Sequence, residues 1–169
     1  MKKKAIRFGA GAGMLVMTMP ILLAHGNKPG SSSASIGGGE VKVEFVGPSA
    51  NGRDVLSLLP PGGYWRMGAD KATTLTTDVD LKVGDATVPK GTYTLVAHFS
   101  EGKEWSLVVA DGVGSGSKPT KIVAQVPGTL SKTDAVVENM IIKLEANGSA
   151  GKLVLEWGTA RLTAEFSAA

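Results

Sequence analysis

From Glu40 onward the apolar side chains fall on alternate positions, the period of a strand with one face buried and the other wet. "VKVEFV" sets Val41, Val43 and Phe45 against Lys42 and Glu44, and "VDLKV" sets Val79, Leu81 and Val83 against Asp80 and Lys82. "TYTLVAHF" puts Tyr93, Leu95, Ala97 and Phe99 on one face and Thr92, Thr94, Val96 and His98 on the other, and "EWSLVV" keeps the same beat with Trp105, Leu107 and Val109. Between these runs stand turn signals, among them Asn51-Gly52, Gly84-Asp85, Pro89-Lys90-Gly91, Glu101-Gly102-Lys103 and Asn147-Gly148, which mark hairpins. "TKIVAQV", "NMIIKLEA", "KLVLEW" and "RLTAEF" close the chain in the same manner, so that with the threonine-rich "ATTLTT" the pattern predicts about eight to ten strands. Only "SKTDAVVEN" reads as a short helix, with Ser131 as its cap. One-sided strands in this number hide their apolar faces by stacking two sheets. The expected fold is therefore all-β, an antiparallel β-sandwich, jelly-roll-like or Ig-like, with at most one short helix.

The first 39 residues follow a different rule. Lys2, Lys3, Lys4 and Arg7 precede an uncharged stretch with an apolar heart at Met14 to Ala24, the layout of a secretory signal with cleavage after Ala24. An uncleaved membrane anchor is the rival reading, weakened by Gly9, Gly11, Gly13 and Pro20, which thin the apolar run. "HGNKPGSSSASIGGG", His25 to Gly39, has almost no large apolar side chain and is expected to be a flexible Gly/Ser-rich linker. The predicted organisation is thus a signal peptide over 1–24, a linker over 25–39 and the sandwich domain over 40–169, with an exported, periplasmic or extracellular location. A chain of 169 residues is long enough for one such domain with a real core.

Charge adds one exclusion. The net charge is +3, but with the four basic residues of the leader set aside the remainder carries 14 basic against 15 acidic side chains, so no basic face for nucleic acid is expected. The membrane enters only through the signal or anchor segment. There is no cysteine, so an exported domain must stand on its core without disulfides.

The densest chemistry lies in "GGYWRMGADKATT", Gly62 to Thr74, which follows the breaker cluster Pro60-Pro61-Gly62-Gly63. Together with "VPKGTYTL", "EWSLVV" and the terminal "LVLEWGTAR", it resembles the motifs of a bacterial family of exported β-sandwich proteins catalogued only as a domain of unknown function. Trp65, Arg66, Gly68, Ala69, Ala72, Thr73 and Thr74 match that family's W-R-x-G-A-N-E-A-T-T pattern. Pro89, Gly91, Tyr93 and Leu95 match P-x-G-x-Y-x-L, and Glu156 and Trp157 match L-x-x-E-W. Asp70-Lys71 stands where the pattern has Asn-Glu, so any acid-base or metal chemistry of that glutamate is unavailable here. The resemblance implies a fold and an exported location and supplies no reaction.

Taken singly, the candidate residues each have a structural and a chemical reading. Arg66 offers five fixed donors for a carboxylate or phosphate ligand, or clamps an internal acid such as Glu156 or Asp70. Trp65, Trp105 and Trp157 suit a sugar platform or the core, and the apolar phase of their strands places Trp105 and Trp157 inside. His98 falls on the polar phase, where an imidazole can move protons. Lys71, Thr73 and Thr74 complete the set as ligand-binding or clamp candidates. His25 is the only other histidine, Lys82 interrupts the acidic run Asp78, Asp80 and Asp85, and "GVGSGSK" lacks the spacing of a phosphate loop and reads as a flexible hairpin connection. No metal or cofactor is therefore expected, and with neither G-x-S-x-G nor cysteine no hydrolytic triad is indicated. Two functions remain: a non-catalytic binding or structural module of the cell envelope for a glycan, small molecule or protein partner, or an enzyme for an anionic or carbohydrate substrate using Arg66 with Asp70 or His98 as catalytic groups.

Overall fold

The computed structural model describes residues 26–59, 61–102 and 104–169, so the expected signal peptide lies outside the described residues. Two antiparallel sheets pack face to face, an all-β sandwich. The first contains β1 (Lys28–Ile36), β2 (Gly39–Gly47), β3 (Tyr64–Trp65), β4 (Thr73–Thr77), β7 (Gly91–Phe99), β8 (Trp105–Ala110) and β9 (Ile122–Pro127), in the order β1-β2-β4-β7-β8-β9 with β3 also on β7. The second is the long hairpin of β10 (Thr129–Asn147) and β11 (Ala150–Ala168), extended by β5 (Leu81–Val83) and β6 (Ala86–Val88) in the order β10-β11-β5-β6. Among the described residues no helix is long and apolar enough to cross a membrane.

The period-two pattern places the core as expected: Val41, Val43, Leu95, Ala97, Trp105, Leu107 and Val109 are all buried between the sheets. Three local readings are corrected. Residues 28–36 are β1 rather than part of a flexible linker, so the folded domain begins before Glu40. The second sheet passes directly over this corner: Ser32 Oγ accepts the Leu144 N–H at 2.9 Å, and a methyl on Gly47, opposite Lys28, would collide with the Met140 carbonyl oxygen. Gly30, where an added Cβ would meet the Phe45 ring, and Ser32 mark close approach in this strand. "SKTDAVVEN" is extended within β10, where its pairing with β11 slips between Lys132 and Val137 and again between Val137 and Ile141. The backbone groups of a helix would be satisfied locally, whereas here Ala50 donates to the Glu138 carbonyl and Met140 to the Pro48 carbonyl, so long-range pairing wins. Val79 lies before β5, in a turn held by the Thr77 hydroxyl, which donates to the Val79 carbonyl at 2.6 Å.

"KLVLEW" and "RLTAEF" are one continuous strand. Leu153, Leu155 and Trp157 face the core at odd positions, then Ala160, Leu162 and Ala164 do so at even ones. The switch falls at Gly158, whose φ of 58° is open to glycine at little cost and turns the strand by one residue.

Candidate functional site

Trp65 pairs with Ala97 and Thr73 with Leu95, so Arg66 to Ala72 loop out of the strand opposite the single residue Val96. This excursion is tied down on every side. The Thr73 N–H closes it on the Arg66 carbonyl at 3.2 Å, the fully buried Thr73 hydroxyl donates to the Met67 carbonyl at 2.7 Å, and the Ala69 N–H reaches the Val46 carbonyl of β2 at 2.8 Å. Met67 and Asp70 take left-handed backbone angles, φ 55° and 59°, and Met67 is sealed in the core. A Cβ on Gly68 would stand 3.1 Å from the Val46 oxygen, which is why this loop keeps glycine there. The dense motif is first of all a hook that plugs Met67 into the sandwich.

Arg66 forms neither of the ion pairs expected of it. Its backbone closes the loop and its side chain is half-buried, while Glu156 lies on the outer face of the second sheet, clamped by Arg161 Nε at 2.8 Å and Lys143 Nζ at 3.4 Å. Alternation accounts for the separation, since Leu155 and Trp157 point inward and Glu156 between them must point outward. Asp70 is exposed and accepts from Asn27 Nδ2 at 3.2 Å; Lys71 is exposed. Trp65 is half-buried and stacks on Trp157, centroids 5.5 Å apart and planes 18° apart. Thr74 stands on the outer face opposite Thr94, and His98 shares that face with Tyr64, ring centroids 4.7 Å apart. Among the described residues no hydrogen bond or ring contact joins Asp70 to His98 or either to Arg66. The Gly112 to Lys118 segment is a built hairpin, closed by Gly114 N–H to Lys118 carbonyl at 2.8 Å; Val113 within it packs, with Tyr64, against the buried outer-face residues Val96, Val108 and Ala110.

The Arg161 hydrogen bond holds the Glu156 carboxyl below the usual carboxylate range against the opposing effect of burial, with Lys143 assisting. A depressed folded-state value means that the carboxylate stabilises the fold fully above the unfolded value, about 4.3, and that this contribution disappears as pH falls through the folded value. The melting temperature of the parent should therefore drop more steeply from pH 5 to pH 3 than that of Glu156→Gln. Parallel pH profiles for the two proteins would contradict a native-state clamp.

A largely apolar cavity lies elsewhere, at the end of the sandwich where the β2–β3 connection meets the end of β7 and the start of β10. It has a volume of about 250 Å³ and is lined by Leu56, Leu59, Pro61, Phe99 and Leu130, with Ser57 and Ser100. A 3-10 turn over Val55–Leu58 shapes one wall; the Asp54 carboxylate caps it by accepting the Leu56 N–H at 3.1 Å, and Val55 anchors it in the core against Gly158. Leu58 and Leu130 at this end are 46% and 39% exposed. None of the motif residues lines this cavity. Its sequence signal was the cluster Leu56, Leu58 and Leu59 in a segment without strand period, apolar side chains in a loop rather than on a buried face.

Residues 28–166 match the family model described as Protein of unknown function (DUF2911), and the chain belongs to that family. No curated protein and no solved structure matches it.

Proposed function

We propose that this member of the DUF2911 family is an exported, non-catalytic binding module that takes the apolar part of a small ligand into the loop-end cavity. The observation that carries the reading is the lining itself: five apolar side chains and two hydroxyls around about 250 Å³, on a rigid two-sheet frame. Binding pockets are concave, mainly apolar and furnished with few polar groups, and loops at one end of a sandwich can vary without disturbing the core. The volume lies just under the roughly 300–1,000 Å³ of sites for whole drug-sized molecules, which favours a compact ligand or one apolar arm of a larger one. An enzyme using Arg66 with Asp70 or His98 has less to rest on, because Asp70 is bonded to Asn27 and His98 packs against Tyr64.

Leu130→Glu tests the reading. Leu130 is 39% exposed, so a carboxylate there leaves the core intact while placing charge against the cavity wall. The variant should melt within about 2 °C of the parent, as surface substitutions generally do, yet lose at least tenfold in affinity for an environment-sensitive apolar dye such as Nile red. Equal dye affinity in parent and variant would remove the cavity as the binding site.

A further inference from the structure

The two hydroxyls that line the cavity are not equivalent, and their existing bonds decide what a ligand meets. Ser57 Oγ donates to the Asp54 carbonyl at 2.6 Å, so its proton is committed and its lone pairs remain. Ser100 Oγ accepts the Glu104 N–H at 3.2 Å, so its own proton remains to be given. A hydroxyl carries one donor and two acceptor sites, so Ser57 keeps acceptor sites only, while Ser100 keeps its donor and one acceptor site, on otherwise apolar walls. Among the described residues no charged side chain lines it.

The surroundings point the same way. Among the described residues the charged groups that flank the lining segments, Asp54, Glu101, Glu104 and Lys132, are exposed, and Arg53 is turned away, with Nε and Nη2 donating to the Ala50 and Ser49 carbonyls at 2.9 and 2.8 Å. An anionic head group would thus leave water for a lining that, among the described residues, holds no cation. A cationic one would leave its hydration shell for walls that offer only two neutral oxygens, at a cost that apolar contact does not offset.

Resting on the cavity reading above, we infer that the ligand is an uncharged amphiphile: an apolar body of modest length ending in a hydroxyl that accepts from Ser100 and donates to Ser57. Both partner groups of that hydroxyl are then satisfied on binding, which is the condition under which a polar group enters an apolar site without penalty.

A series with one tail and three head groups tests this. Titration of the purified protein with 1-octanol, octanoate and octylamine at pH 7, followed by calorimetry and by NMR shifts of the Leu130 and Leu59 methyl groups, should rank the alcohol at least tenfold tighter than either charged analogue. Ser100→Ala should weaken 1-octanol about fivefold while leaving the melting temperature in place, because the Ser100 N–H to Glu104 carbonyl bond at 2.8 Å still closes the turn. Octanoate or octylamine binding as tightly as the alcohol, or an unchanged alcohol affinity in Ser100→Ala, would overturn the neutral-hydroxyl inference while leaving the cavity in use. Failure of all three ligands to shift the Leu130 and Leu59 methyls would instead defeat the cavity reading itself.

Discussion

Trp157→Ala is expected to lower the melting temperature by about 10–20 °C, the largest effect of any single truncation considered. Trp157 is 6% exposed, stacks on Trp65, and sits at the position before the Gly158 phase switch, where the two sheets and the Val55 turn converge. Truncating a buried tryptophan removes its transfer energy and leaves a cavity, together about 3–5 kcal/mol, which is a fifth or more of the roughly 5–15 kcal/mol that holds a domain folded. For a domain of this size each kcal/mol moves the midpoint by roughly 3–4 °C. The indole N–H of Trp157 is buried without a hydrogen-bond partner, a burial cost that packing has to exceed. Trp157→Phe removes that orphan donor and keeps most of the stacking, so it should lose less than half of what Trp157→Ala loses. Thermal melts followed by circular dichroism distinguish the outcomes; a Trp157→Ala protein melting within a few degrees of the parent would mean that the ring is not packed between the sheets.

Gly47→Ala should be the most damaging single methyl. The added carbon would run into the Met140 carbonyl oxygen, a backbone atom of the facing sheet that cannot rotate away, at the corner where β1 and β2 pass beneath β10. Overpacking of this kind costs about 1–3 kcal/mol, and more where backbone must move. A loss of about 5–10 °C follows from the same conversion. Gly102→Ala is the matched control: the nearest atom to its added carbon is Ser100 Oγ at an ordinary 3.7 Å, and its melting temperature should stay with the parent. Equal melting of the two variants would show that the sheets do not approach as closely as the Ser32–Leu144 hydrogen bond implies.

The candidate site divides along the same physical line. Trp65, Arg66, Asp70 and Thr73 were visible as a dense motif because unusual residue types stand out in any sequence, and the motif does mark a special backbone, the excursion that inserts Met67. Its chemical promise did not carry into geometry. Arg66 and Glu156 share a signature but lie on different sheets, and the partners of Glu156 are Arg161, five residues on, and Lys143 across the ladder. The cavity residues Leu56, Phe99 and Leu130 come from the 3-10 turn, the end of β7 and the start of β10, segments distant in sequence, and no local pattern announces that their side chains will meet.

Alternation of oil and water along Val41 to Phe45, Tyr93 to Phe99 and Trp105 to Val109 was enough to specify strands, their buried faces and hence two stacked sheets, because that information resides in the order of neighbours along the chain. Where glycine and serine mean contact rather than slack, where β10 slips its register, which acid meets which base and where the loops enclose a hollow all depend on atoms far apart in the chain. Those distances exist only after the sheets have packed, so folding decided them.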